Sequence, residues 1–189
     1  IATKPMTEEF IIGEMLKQLI EDRTDLSVEI TKGVGGGTSN IHPAMVKGDF
    51  DMYPEYTGTS WSFVLKKKEI PEHDILYKEL IREYKQQYHL EWTGLYGFNN
   101  TYGIAVTKET AQRYHLKTYA DLASVSSRMS FGAEYDYYER DDGYDAMVKA
   151  NDFHFKKSID LDIGLKYDAL LKKEVDAILV FTTDGRISD

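Results

Sequence analysis

The chain contains no cysteine. That excludes a disulfide framework, a thiolate metal site and a cysteine nucleophile. Covalent chemistry would fall to serine or threonine, yet no Gly-x-Ser-x-Gly elbow is present. The histidines His42, His73, His89, His115 and His154 are scattered, and no two have the spacing that puts a pair of imidazoles on one helical face. No metal or other cofactor is therefore expected. No apolar run approaches the roughly 18 residues needed to cross a bilayer. The chain opens on Ile1-Ala2-Thr3-Lys4 without the basic and apolar regions of a signal peptide. It reads as a processed or excised domain, any signal peptide, lipoprotein cysteine or membrane anchor lying outside it.

Positive charge is also scarce. Lys and Arg total 23 against 32 Asp and Glu, a net charge of −9 over 189 residues. The only basic run, Lys66-Lys67-Lys68, reads as solvated charge flanking a helix, so no nucleic-acid partner is expected. An acidic surface does raise the local concentration of cationic ligands. Hydrophobic residues make up 42% of the chain, enough for a real core.

Helical and strand periods alternate along the sequence. Thr7 reads as an N-cap, with Glu8 and Glu9 in the first turn and apolar residues from Phe10 to Ile20 at helical spacing, so a helix is expected over about residues 7 to 22. Leu26, Val28 and Ile30 alternate as a half-buried strand would. Further strands are expected at Phe50 to Tyr53, Trp92 to Leu95, Tyr102 to Thr107, Met129 to Gly132 and Val175 to Val180. Helices are expected near Ser39, at Glu72 to Tyr88, after Lys108, at Tyr144 to Ala150 and at Gly164 to Lys173. This alternation predicts an α/β protein with parallel sheets in two lobes, residues 1–101 and 102–189.

The glycine run Gly33-Val34-Gly35-Gly36-Gly37-Thr38 lies where a phosphate loop would, but it fails Gly-x-Gly-x-x-Gly at its last position and no Gly-Lys-Ser/Thr comes after it. It reads as a flexible turn whose Thr38 or Ser39 caps a helix, or as N–H groups facing a ligand carboxylate. Asp141-Asp142-Gly143 and Asp160-Leu161-Asp162-Ile163-Gly164 lack the later glutamate of a calcium loop and read as turns and caps.

Aromatic residues carry the positive signal. The chain has 14 tyrosines, several in turn-rich contexts. Tyr53-Pro54 ends a strand, because proline lacks an N–H and constrains its predecessor, so the residues after Pro54 are expected to be exposed. A tyrosine face attracts a cation, and several faces can enclose a quaternary ammonium, which has no N–H to donate. The stretches Gly48 to Thr59 with Tyr53-Pro54-Glu55-Tyr56-Thr57-Gly58-Thr59, Phe98-Asn99-Asn100-Thr101-Tyr102 and Phe131 to Tyr144 together resemble the substrate-binding proteins of ABC importers for quaternary amines, along nearly the whole chain.

That resemblance implies a two-lobed periplasmic-binding-protein-like fold (type II) with its ligand in the interlobe cleft. It implies correspondence to about the first two-thirds of the family domain, the first lobe awaiting a C-terminal segment. By the matching motifs, Tyr56 and Tyr102 are cage tyrosines, Thr59 contacts a ligand carboxylate, and Asn100 lies beside the cage. Lys4, before Met6-Thr7-Glu8-Glu9, and Arg140, in Tyr138-Glu139-Arg140-Asp141-Asp142-Gly143, are candidate carboxylate partners. Phe181 stands where relatives often carry a tyrosine, keeping the π-face and losing the hydroxyl. Glu9 replaces the usual glutamine.

The function implied is capture of glycine betaine, choline, carnitine or a similar compound, without catalysis, and its delivery to a membrane permease. The setting implied is extracytoplasmic: a cell-surface lipoprotein, a permease-fused domain or a periplasmic protein. The alternatives are an ergothioneine-binding domain of a related importer, or a small enzyme or sensor on the same architecture. For an enzyme, Glu55 and Glu134 are the carboxylates to test.

Overall fold

The apolar period after Thr7 folds as helix α1, Thr7–Arg23, in a computed structural model that describes residues 1–188. Its N-cap is Met6, in extended conformation and without a side-chain cap, not the expected Thr7. The chain turns into the helix one residue early, Phe10 N donating to Met6 O at 3.1 Å. The first-turn acids Glu8 and Glu9 still complement the positive end of the helix.

The chain divides into two units, Ile1–Phe98 and Asn99–Asp189. In the first, the strands expected at residues 26–31, 50–53 and 92–95 are extended but form no ladder, and among the described residues this unit has no named strand. A single parallel bridge links Ala2 to Thr31. Ala2 N bonds Met52 O at 2.9 Å on the other edge, so residues 1–3 lie between the two expected strands. Around residues 26–29 the ladder gives way to groups from α1 and the N-terminus. Val28 N donates to Glu21 Oε1 at 2.9 Å, Lys17 Nζ to Val28 O at 2.8 Å and Ile1 N to Glu29 O at 2.8 Å.

Gly36 and Gly37 take φ of +74° and +48°, which gives the glycine run its purpose as a turn into α2, Thr38–Lys47. Neither Thr38 nor Ser39 caps that helix; its N-cap is Gly37. After Tyr56 the backbone enters a short turn, α3 (Thr57–Thr59), that runs on as a π-helical stretch, Ser60–Val64. Helix α4, His73–Tyr88, buries Leu76, Leu80 and Tyr84 on one face. With Trp61 they form this unit's core, flanked by Val64, Leu65, Tyr88 and Trp92.

The second unit is built on a four-stranded sheet, β1 (Tyr102–Val106), β2 (Ser130–Ala133), β3 (Lys157–Asp160) and β4 (Ala177–Phe181), in the order β1-β4-β2-β3. It is mixed, not wholly parallel as expected: β2 runs parallel to β3 and β4, while β1 is antiparallel to β4. Strand β3 has no counterpart among the expected elements, because Lys157-Ser158-Ile159-Asp160 is polar and mostly exposed, as edge strands are. Helices α5 (Lys108–Tyr114), α6 (Tyr119–Val125), α7 (Tyr135–Glu139), α8 (Tyr144–Asn151) and α9 (Lys166–Leu171) connect the strands.

Strand β4 organises two cores because its side chains alternate. Ile178 and Val180 pack with Tyr167, Leu170 and Val175 on one face, and Ala177 and Leu179 with Phe131, Ala133 and Tyr137 on the other. Its register sets Tyr102 opposite Phe181. The start of β1 and the carboxyl ends of β2 and β4 therefore share one end of the sheet, the end at which α/β folds present ligands.

Phe131 is fully buried at 0% exposure and Ile11 is 56% exposed. Phe131→Ala should cost about 3 to 5 kcal/mol and Ile11→Ala about 0.5 kcal/mol or less, measured by urea unfolding of the chain.

Candidate functional site

In the first unit a buried charge cluster holds Tyr56. Lys4 Nζ is ion-paired with Glu55 Oε1, the two side chains 9% and 4% exposed. The other Glu55 oxygen accepts from Thr38 Oγ1 at 2.7 Å, and Oε1 also accepts from Tyr56 N at 2.7 Å. Pro54, itself buried, directly precedes this inward-facing Glu55, and Tyr56 comes next. Lys4 Nζ lies 4.9 Å from the Tyr56 ring centroid, a cation–π contact, and the Tyr56 hydroxyl donates to Glu8 Oε1.

Glu9 completes the cluster. It is fully buried, and its Oε2 accepts a long bond, 3.4 Å, from Lys4 N. Burial pushes its carboxyl up to about 7, against the pull of Lys4 and with added repulsion from Glu55 and Glu8. Tyr96 is pushed up to about 12, first by burial and then by Glu9 and Glu55. Behind the cluster, burial holds the His42 imidazole below its ordinary value, with Glu55 opposing, and its Nδ1 lies 3.3 Å from the Tyr53 hydroxyl.

In the second unit an aromatic corner forms at the end of the sheet where β1 begins and β4 finishes. The Tyr102 ring lies 5.0 Å from Tyr137 and 5.7 Å from Phe181. The Arg140 guanidinium carbon is 5.9 Å from the Tyr102 ring, and Lys166 Nζ is 4.2 Å from the Phe181 ring. Lys166 is 0% exposed and ion-paired with Glu134, which directly succeeds β2. Arg140 is nearly buried, and its fork grips Asp142 through two 2.8 Å bonds.

The structure thus brings Lys4 together with Tyr56, and Tyr102 with Phe181 and Arg140. Lys4 and Arg140, expected to face a ligand carboxylate, each hold a carboxylate of the chain itself. Thr59 is the half-buried last residue of α3, and half-buried Asn100 sits in the segment leading into β1. Glu55 and Glu134, the acid–base candidates, are both held in lysine ion pairs. Sequence reasoning missed Lys166, which looks like any lysine on a short helix. It also missed Tyr137, whose place in the Tyr135 to Tyr138 run was the one available signal. No cluster of metal-ligating side chains occurs among the described residues.

A sequence model of the OpuAC family, described as the substrate-binding domain of ABC-type glycine betaine transport systems, matches residues 1–189. The chain belongs to this family. Two curated relatives illustrate the range. The Helicobacter pylori (strain G27) ergothioneine transport permease/ergothioneine binding protein EgtU is 43% identical over 189 residues, which span 100% of this chain and 34% of that protein. The carnitine transport binding protein OpuCC of Listeria monocytogenes serotype 1/2a (strain 10403S) is 37% identical, over 99% of this chain and 61% of that protein. The chain thus spans less than two thirds of these relatives' length. Among solved structures, that of a glycine betaine/carnitine/choline ABC transporter superposes with a TM-score of 0.67 at 33% identity, covering 99% of this chain and 70% of that one. Apo YehZ from Escherichia coli, at 24% identity and a TM-score of 0.60, supports the fold.

Within this OpuAC domain, Glu9 costs stability at neutral pH. Its folded value lies above the ordinary 4.5, so between 4.5 and about 7 the folded state binds more protons than the unfolded, and stability falls as pH rises through that window. Glu9→Gln should stabilise the chain by about 1 to 3 kcal/mol at pH 8 and leave it unchanged at pH 4, measured by denaturant unfolding. At Gly143, an added Cβ would stand 2.0 Å from Tyr137 O and 3.1 Å from Arg140 O. Gly143→Ala should displace the Tyr137 to Arg140 turn, read as an altered near-ultraviolet tyrosine signal and a lowered melting temperature.

Proposed function

We propose that this OpuAC domain is the solute-binding component of an ABC importer, capturing a quaternary ammonium compound and delivering it to a membrane permease. The observation that carries the reading is the aromatic corner at the carboxyl ends of the parallel strands, where Tyr102, with its ring centroid within 6 Å of those of Tyr137 and Phe181, gathers three ring faces. A quaternary ammonium offers no hydrogen-bond donor, so ring faces and shape must recognise it. The rings of this chain already draw cations: Lys4 to Tyr56, Arg140 to Tyr102 and Lys166 to Phe181. In the first unit this reading assigns ligand contacts to Tyr56, Thr59 and Lys4, and in the second to Asn100 and Arg140. The domain binds without turnover, since Glu55 and Glu134 are committed to lysines. It works outside the cytoplasm, as a surface lipoprotein, a permease-fused domain or a periplasmic protein; no described helix is long and apolar enough to cross a membrane.

A second reading, ergothioneine as the ligand, is favoured by the 43% identity to a relative named for it. Ergothioneine shares the trimethylammonium and carboxylate of the betaines.

Isothermal titration of the chain with choline, glycine betaine, carnitine and ergothioneine at fixed salt decides between them. Saturable binding of one at micromolar or tighter affinity is expected, with Tyr56→Ala and Tyr102→Ala each weakening it about 2- to 30-fold. Absence of saturable binding to all four, or unchanged affinity in both variants, would overturn the reading.

A further inference from the structure

We propose that Glu9 is a specificity-determining residue: its buried carboxylate, beside Lys4 and Glu55 in the cluster that carries Tyr56, becomes ionised when a permanent cation binds, so that capture releases a proton. The inference rests on the quaternary-ammonium reading and deepens it.

Geometry supports it. Glu9 is 0% exposed, and its Oε1 is buried with no hydrogen-bond partner among the described residues. A carboxylate oxygen out of water and without a donor is costly while charged and far less so as the neutral acid. The groups that face it offer no spare charge. Lys4, from the N-terminal segment, is paired with Glu55; Glu8 on the same helix and Glu55 from the segment before α3 are themselves acids. Tyr96, from the segment before the end of the unit, is electrostatically coupled to Glu9 as a neutral phenol. His42 on α2 is coupled to Glu55, and burial disfavours its charged form. Of the charges acting on Glu9 among the described residues, Lys4 favours its ionised form and Glu55 and Glu8 oppose it. A cation seated on Tyr56 adds positive charge to this cluster, and binding and ionisation then favour each other to the same extent. With the carboxyl pushed up to about 7, neutral and ionised forms are both populated near neutrality.

The probes are choline and glycine betaine, neither of which titrates between about pH 5.5 and 8.5. Each is titrated calorimetrically into the whole chain across that range, in two buffers of different ionisation enthalpy. The expected result is release of a fraction of a proton per ligand near neutrality and affinity about tenfold tighter at the alkaline end. Glu9→Gln should abolish the proton release and flatten the profile, and Glu14→Gln, on the same helix but paired with Lys32 outside the cluster, should retain both. Saturable binding with no proton release, or release that survives Glu9→Gln and so belongs to a neighbour such as His42, overturns this inference alone. Failure of both probes to bind at every pH overturns the quaternary-ammonium reading along with it. The wild-type proton count stands even if a variant fails to fold.

Discussion

A lysine withdrawn from water must keep a carboxylate beside it, and that constraint shapes both halves of this molecule. Breaking such a pair leaves a buried charge uncompensated, which costs about 3 to 5 kcal/mol. Lys4 with Glu55 fixes the approach of the N-terminal segment to the turn after Pro54, and Tyr56 takes its position from that turn. Lys166 with Glu134 ties α9 to the end of β2 next to Phe181. In each unit the ion pair lies under an aromatic ring, so the cation is shared between a carboxylate and a π-face. The rings are consequently set by electrostatics as much as by packing.

Helices were legible because their apolar residues recur over many turns. α1 and α4 fall within a residue or so of the periods that announce them. β4 was legible as a continuous apolar run buried on both faces. Strands of the first unit were misread, since alternation at Leu26, Val28 and Ile30 reports an extended chain and not what its backbone bonds. Here side chains of α1 and the nitrogen of Ile1 take those bonds, and no local pattern announces such a substitution. The direction of β1 was equally hidden, because a five-residue strand reads the same whether its neighbour runs with it or against it.

Candidate site residues were legible where turn chemistry brings a large ring out of a strand, as at Tyr102 after Asn99-Asn100-Thr101, which is exposed. The exposure expected after Pro54 was overread: Tyr56 is half-buried and Ser60 and Trp61 are buried, because the turn runs straight into a packed helical stretch. What those residues touch was not legible. Arg140 binds Asp142 two positions on, and Lys4 binds a glutamate 51 positions away. Glu9 stood out as an acid in the first turn of a helix and as a departure from the glutamine usual in the resembling family, but its burial depends on segments that meet it from elsewhere in the unit. Lys166 had no sequence signal at all, since full burial of a lysine is a property of tertiary packing.

Because β1 and β4 are antiparallel neighbours, the sheet of the second unit begins and ends at adjacent points. Thr182 N bonds Thr101 O at 2.9 Å, and Thr101 N bonds Thr182 Oγ1 at 3.0 Å. Everything between residues 102 and 181 is thus a closed excursion whose two ends are already joined. Such an excursion can be cut out, transplanted into another scaffold or reopened at one of its loops with little added cost of closing the chain. Its sheet can also assemble from contacts within its own stretch of sequence, as a cassette that carries its fold with it.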